Sequence, residues 1–258
     1  MKISIIIFIS LRKMKRLIKS LFFSLKVLMS RKNDGAVILM YHSIAHSKAF
    51  FAVRPADFEK HMRLLKESGF ECLQFSKLAE RLAAGESVKK TVCVTFDDGY
   101  LDNYETALPI LRKYGIPATI FVTTSAIGAA MTTSDGVMIP VMTENMIKEL
   151  SNEGLIECMP HGEQHIRLGN ISLEDAKENI SISRTKIEAL TGNRSFCFAY
   201  PYGNYTPELV SLLSSMGCQA AVTVERGSVS EQSDLLRLPR MPVDSQTPIF
   251  QLQYFLTQ

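Results

Sequence analysis

A chain of 258 residues with a 46% hydrophobic share is long enough to bury a full core and is read as one α/β domain behind a short arm. Its net charge of +3 is too small and too dispersed for the concentrated basic face of a nucleic-acid binder. The 5 cysteines (Cys72, Cys93, Cys158, Cys197 and Cys218) contain no CxxC pair, which excludes a dense disulfide framework and favours reduced, buried thiols on the cytosolic side.

The chain opens on a basic arm, residues 1–34. Lys2, Arg12, Lys13, Lys15, Arg16, Lys19, Lys26, Arg31 and Lys32 all precede the first acid, Asp34. The apolar run Ile3 to Leu11 falls well short of the roughly 20 residues a spanning helix needs, and basic residues follow it rather than a small-residue cleavage site. "LIKSLFFSLKVLM" (residues 17–29) sets apolar residues around basic ones in the manner of a helix lying on an anionic membrane. Peripheral membrane contact through residues 1–32, with the protein at the cytoplasmic membrane surface, is the expectation; a degenerate export signal, hence an exported form, and an incidental tail are the alternatives.

From residue 35 to 258 the pattern is that of alternating strands and helices. "GAVILMYHSI" (35–44) reads as a buried strand, and "PADFEKHMRLLKESGF" as a helix with Phe58, Met62 and Leu65 on one face and Gly69 as its stop. "TVCVTF" is a second buried strand. "DNYETALPILRKYG" carries Leu101, Tyr104, Leu108 and Leu111 at helical spacing, with Pro109 as a kink and Gly115 at the end. "IPATIFVTT" is a third strand, apolar enough for a sheet covered on both faces. Residues 125–141 read as a loop or lid, "TENMIKELSNEG" as a short helix leading into "LIECMPHGEQH". Ser172 and Asp175 then cap a longer helix with Ala176, Ile180, Ile187 and Leu190 on one face and Gly192 after it. The strand "SFCFAY", the turn "PYGNY", a helix from Thr206 and Pro207 to Gly217, and the strand-like runs "CQAAVTV" and "LLRLPRMPV" complete the chain. Such alternation implies parallel βα units, a barrel or an open sheet, with reactive groups at the carboxyl ends of strands.

Asp97, Asp98, His161 and Tyr202 all fall just past strand-like segments. Adjacent carboxylates repel, and one is driven toward its neutral form unless a cation stands beside them. "HGEQH" supplies His161 and His165 at a spacing of four, so both imidazoles can reach one ion. Two His and one Asp leave coordination positions open for water and substrate, as in a catalytic metal site. The other Asp is then free to act as base on a water whose pKa the metal lowers to about 7. Taken singly, an Asp pair is also a turn or a helix cap, and HxxxH is also a solvated helix face.

"TFDDGY", "HGEQH" and "FAYPYGNY" resemble, in order and approximate separation, the motifs of the polysaccharide deacetylases, the NodB-homology group or fourth carbohydrate esterase family. The resemblance runs from about Val37 to Val243 and is reinforced by "ALPILRKYGIPATIFV". It implies a distorted, incomplete (β/α) barrel of about seven parallel strands. It implies Asp97 as base, and Asp98, His161 and His165 as ligands of one divalent metal. Zinc is the first choice, with cobalt, nickel, manganese or iron as alternatives. The implied reaction removes an acetyl group from an N-acetylated amino sugar in a glycan or a lipid-linked glycan precursor. A backbone amide near Tyr202 can help to hold the oxyanion.

The chain departs from the commonest family pattern in three places. Gly162 stands where many members have Ser or Thr, Ala199 stands where a third-motif Arg is common, and no histidine follows His165. A subgroup similar to the poly-N-acetylglucosamine deacetylases places the acid His in an early strand ending like "LMYHSI", which points to His42, and carries a late segment like "PRMPV". There Arg240 can pair with Asp97, and it is grouped with Tyr202 and Gly203 among the residues around the substrate. Pro-Tyr-Gly is also turn chemistry, with Gly203 wanted for an unusual backbone angle; His42 could simply cap a strand, and Arg240 could form a surface ion pair. His46 looks bland and His61 reads as a partly exposed packing residue. The competing functions are a catalytically silent glycan-binding relative and, since two His and a carboxylate also form that site, a non-haem iron oxygenase.

Overall fold

The structure, a computed structural model, describes residues 35–257 and, ahead of them, residues 18, 19, 21–24 and 26. The apolar run Ile3 to Leu11 lies outside the described residues. The described arm residues are helical and lie against the C-terminal helix: the Phe23 and Tyr254 rings are 5.2 Å apart, and Lys19 Nζ donates to the Gln246 carbonyl at 3.1 Å. Ile18, Leu21 and Phe22 are exposed there. Among the described residues no helix is long and apolar enough to cross a membrane.

The predominantly apolar runs of the sequence become strands with every residue buried. These are β1 (Ala36–Tyr41), β3 (Thr91–Phe96), β4 (Ala118–Val122) and β7 (Ile156–Pro160), as a parallel sheet covered on both faces requires. The main sheet runs β10 (Met241–Pro242), β1, β3, β4, β7. One edge of β3 is taken along its length by β1. The other is shared: β2 (Glu71–Leu73) pairs with it from Thr91 to Cys93, and β4 from Val94 to Phe96. A separate parallel pair, β8 (Cys197–Ala199) and β9 (Ala220–Val222), continues the curve. It rejoins the segment before β10 through a bridge from Val222 to Leu238. Between β7 and β8 no ladder forms among the described residues. Seven of the eight parallel strands among the described residues, β10, β1, β3, β4, β7, β8 and β9, with β2 beside β3, therefore make the incomplete barrel expected from the sequence.

Successive residues of β1 face opposite sides, as the pleat demands. Val37, Leu39 and Tyr41 pack outward with Phe58, Met62 and Leu65 of α1 (Pro55–Glu67), while Ala36 and Ile38 point inward. The inner cluster is closed by Phe75, Leu78, Ala79 and Leu82 of α2 (Phe75–Ala83); burying side chains of this size contributes about 1.5–3 kcal/mol each. The remaining helices are α3 (Leu108–Tyr114), α4 (Glu144–Glu153), α5 (Leu173–Thr191), α6 (Pro207–Ser215) and α7 (Ile249–Phe255). The side-chain oxygens of Thr143, Ser172 and Thr206 act as N-caps, each accepting from the amide three residues on.

Several elements differ from the sequence reading. Pro109 does not bend an α-helix: the preceding residues Asn103–Ala107 are π-helical, with the Leu108 N–H donating to the Asn103 carbonyl. Having no N–H to give the Glu105 carbonyl, the proline leaves the register free to loosen one turn earlier. Residues 125–141 contain a hairpin, β5 (Ala130–Thr132) with β6 (Met138–Pro140). "LLRLPRMPV" opens on a 3₁₀ turn at Leu235–Arg237, continues through a single bridge at Leu238, and is strand only at Met241–Pro242. His61 is buried, with Nδ1 3.1 Å from the Tyr41 hydroxyl, rather than partly exposed; the helix face it shares with Phe58 is turned fully into the core. Strand β2 and helices α2 and α7 had no counterpart in the sequence reading.

Candidate active site

The site sits at the carboxyl ends of β1, β3, β4, β7 and β8. After β3, the Asp97 amide still donates to the Tyr41 carbonyl at 3.0 Å, so Asp97 is held as the last residue of the sheet. Asp98 then turns away with φ +75 and Gly99 with φ +79. A left-handed aspartate costs roughly 1–3 kcal/mol, and here it aims the carboxylate at the loop beyond β7. Asp98 Oδ1 lies 3.6 Å from His161 Nε2 and 3.3 Å from His165 Nε2. Although buried, that oxygen has no hydrogen-bond partner.

The histidines present themselves as ligands would. His161 Nδ1 is 2.7 Å from the Ala199 carbonyl, which can only accept, so Nδ1 carries the proton and Nε2 keeps its lone pair. Burial and the neighbouring His161 push the His165 imidazole down to about 4, outweighing the Asp98 charge, which leaves it neutral and able to coordinate. One donor atom from each of Asp98, His161 and His165 falls within 4.8 Å of the others. An orphaned carboxylate oxygen facing two imidazole lone pairs fits a divalent cation of the zinc type.

The loop bearing these histidines is clamped by residues outside the sequence motifs. Asn179 of α5 accepts from the Glu163 amide at 2.9 Å and donates to the Gln164 carbonyl at 3.4 Å, while the Thr124 amide donates to the Gly162 carbonyl. A polar residue three positions after Ala176, on the apolar face of α5, was the available clue. Gly162 has φ +83, and a Cβ there would lie 2.7 Å from Asn179 Oδ1; the clamp occupies the space that a side chain at this position would need.

Arg240 reaches Asp97 from below. Its Nη1 donates to Oδ1 at 2.7 Å and Nη2 to Oδ2 at 2.6 Å, while Nε donates to the Thr223 carbonyl and Nη1 also to Thr95 Oγ1. Burial alone would push the Asp97 carboxyl up, but the Arg240 charge and its paired hydrogen bonds prevail and hold it well below the usual carboxylate range. With 0% exposure, Arg240 has no surface to offer a sugar. Its grouping with the substrate-binding residues gives way to a place beneath Asp97.

His42 follows β1, half-buried, with its ring stacked on Phe51 at 4.9 Å. It lines one cleft with Asp97, Asp98, His161, His165 and Tyr202, closed along one side by Met131 to Ser134 of the β5–β6 hairpin. Phe50, Tyr100 and Val224 complete the wall. Tyr202 is half-exposed, its ring 4.3 Å from that of His165 and 4.7 Å from the Arg167 guanidinium. Its φ of +58 and the +62 of Gly203 make the turn, and a Cβ on Gly203 would meet Val224 Cγ2 at 2.4 Å. Gly203 is thus required by backbone angle and by space, and contributes no side chain to the cleft. His46 is exposed, away from this group.

The family model for polysaccharide deacetylase matches residues 84–221, which contain both acids, both histidines and the Tyr202 turn. The chain belongs to the polysaccharide deacetylase family. It is 31% identical over 207 residues to YxkH of Bacillus subtilis (strain 168), a protein provisionally named a polysaccharide deacetylase, covering 80% of this chain and 70% of that one. It is 25% identical over 203 residues to the poly-beta-1,6-N-acetyl-D-glucosamine N-deacetylase of Staphylococcus epidermidis, covering 76% and 69%. The solved structure of the Streptococcus pyogenes deacetylase PplD in complex with acetate superposes with a TM-score of 0.76 at 24% identity, covering 86% of this chain and 98% of that one. This deacetylase therefore has the family fold and the family's activity class, a hydrolase of the polysaccharide deacetylase type.

Proposed function

We propose that this deacetylase is metal-dependent and removes an N-acetyl group from an amino sugar in a cell-envelope glycan or its lipid-linked precursor. One observation carries the reading: a buried, unpartnered Asp98 oxygen faces two imidazole nitrogens beside an Asp97 kept ionised by Arg240. A divalent ion held by Asp98, His161 and His165 supplies Lewis-acid polarisation of the amide carbonyl and a more acidic water. Asp97 takes the proton of the attacking water. His42, across the cleft, gives a proton to the amine nitrogen as the carbon–nitrogen bond breaks, and acetate and the free amino sugar leave. The Gly203 and Asn204 amides are engaged within their turn, so the Tyr202 amide is the N–H of that turn we assign to the developing oxyanion. The half-exposed Tyr202 ring offers a face for a sugar.

Basic residues and exposed Ile18, Leu21 and Phe22 on the arm support attachment to an anionic membrane surface, on the cytoplasmic side in keeping with five free cysteines. The silent-binder reading rested on a missing Arg and a missing late His; Arg240 on Asp97 and His42 in the cleft weigh against it. The test is acetate release from a panel of N-acetylated glycans and lipid-linked sugars, with zinc, with other divalent metals and with chelator. Sugar binding without acetate from any member would sink the proposal.

A further inference from the structure

Asp102 and Asn103 lie outside the catalytic set, yet both are spent on the segment that carries His42. Asn103 Nδ2 donates to the His42 carbonyl at 2.7 Å and to Asp102 Oδ1 at 3.1 Å. Asp102 Oδ2 accepts from the Ser43 hydroxyl at 2.6 Å, and its Oδ1 accepts from the Ile44 amide at 2.9 Å. Three consecutive residues, His42, Ser43 and Ile44, are thus tied to two consecutive residues at the head of the π-helical turn. On the far side the same segment is fixed by the Val53 amide, which donates to the Ser43 carbonyl.

Two features set this apart from ordinary loop packing. Asn103 is buried and keeps both amide hydrogens on the clamp while its Oδ1 has no partner. An orphaned buried acceptor costs stability, and the reverse amide orientation would point an acceptor at two acceptors. The clamp also sits where the helix departs from α geometry, at Asn103–Ala107, and such π turns recur at functional sites. His42 has its ring set against Phe51, so a fixed backbone and a fixed ring plane leave the imidazole little freedom within the cleft.

We propose that Asp102 and Asn103 are positioning residues for His42, holding its backbone so that the imidazole meets the leaving amine. The inference rests on the reading of His42 as the acid. Proton donation matters for a poor leaving group such as an amine and hardly at all for an activated aryl ester, and this difference separates positioning from general structural support.

Asn103→Ala, and Ser43→Ala as a milder variant should the first fold poorly, are compared with the parent on an N-acetylated glycan and on an activated aryl acetate, alone and in a His42→Ala background. Amide kcat is expected to fall by about 10- to 100-fold. KM, zinc affinity and aryl ester turnover should stay within about twofold, and no further amide loss should appear once His42 is absent. Equal losses on amide and ester, or an undiminished loss in an impaired His42→Ala background, overturn the clamp alone. Full amide turnover by His42→Ala overturns the acid assignment, and the clamp with it.

Discussion

Arg240 and Asp97 lie 143 residues apart in the chain and meet as a two-pronged ion pair with both partners buried. The third motif offers Ala199 rather than the Arg that the family resemblance leads one to expect, and the guanidinium arrives from the segment before β10. A planar fork can hold both carboxylate oxygens at once and a lysine cannot, so the pair fixes orientation as well as charge.

Arg240→Ala should therefore strand a buried carboxylate and destabilise the fold by about 3–5 kcal/mol, read as a lower urea midpoint. Arg240→Lys should fold better and still lose acetate release, because Asp97 is then free to rotate. Unfolding of the alanine variant at the parental midpoint would show that the pair carries no stability.

Asp97→Asn and Asp98→Asn are adjacent changes with opposite signatures. The first should retain zinc binding through Asp98, His161 and His165 and lower kcat by about 10²- to 10⁴-fold. The second should weaken zinc binding itself, so that a chelator abolishes its activity at lower concentration than for the parent and added zinc partly restores it. Titration calorimetry alongside acetate release separates them; indistinguishable zinc affinities would refute the division of labour.

Gly162→Ser tests the clamp on the histidine loop. At φ +83 any side chain is strained, and this one would press on Asn179 Oδ1 at 2.7 Å. A cost of about 1–3 kcal/mol should appear as reduced stability together with weaker zinc binding, and Asn179→Ala should relieve the clash while leaving the loop loose. Zinc affinity unchanged in Gly162→Ser would show that loop position and ligand geometry are independent.

Glu157, remote from the cleft, should give stability a pH dependence. Burial pushes its carboxyl up, although Ser76 and Thr119 donate to it and pull it back. A raised folded-state pKa means that the unfolded chain releases this proton first. Stability is then lost as pH rises from the unfolded value, about 4.3, toward the folded one, and is flat above it. Glu157→Gln removes that loss, so its urea midpoint relative to the parent should improve as pH rises above the unfolded value; a constant difference would contradict the assignment.

Much of this was legible in the sequence because the signals were local. Predominantly apolar runs ending at Asp97 and at His161 marked central parallel strands, and the spacing of His161 and His165 survives as two imidazoles on one carboxylate. What escaped depended on contacts distant in sequence. Helix α2 is the exception, since Phe75, Leu78, Ala79 and Leu82 stand at i, i+3, i+4 and i+7, the spacing of an amphipathic helix, whereas His61 was misjudged because its partner is Tyr41 on the neighbouring strand. Asn179 and the Asp102–Asn103 pair look like ordinary helix polar residues until the loops they hold are folded onto them.

The open seam of the barrel carries a consequence of its own. Where β7 and β8 exchange no ladder bonds, the His161 ring spans the gap: its amide donates to Val122 of β4 and its Nδ1–H to Ala199 of β8. One imidazole is thus both a donor atom for the site and a rivet in the wall. Whatever engages Nε2 stiffens the attachment of β8 and β9, and by reciprocity whatever loosens those strands weakens the grip at Nε2. Slowed amide hydrogen exchange along Cys197–Ala199 and Ala220–Val222 would then be a remote gauge of occupancy at the opposite end of the ring.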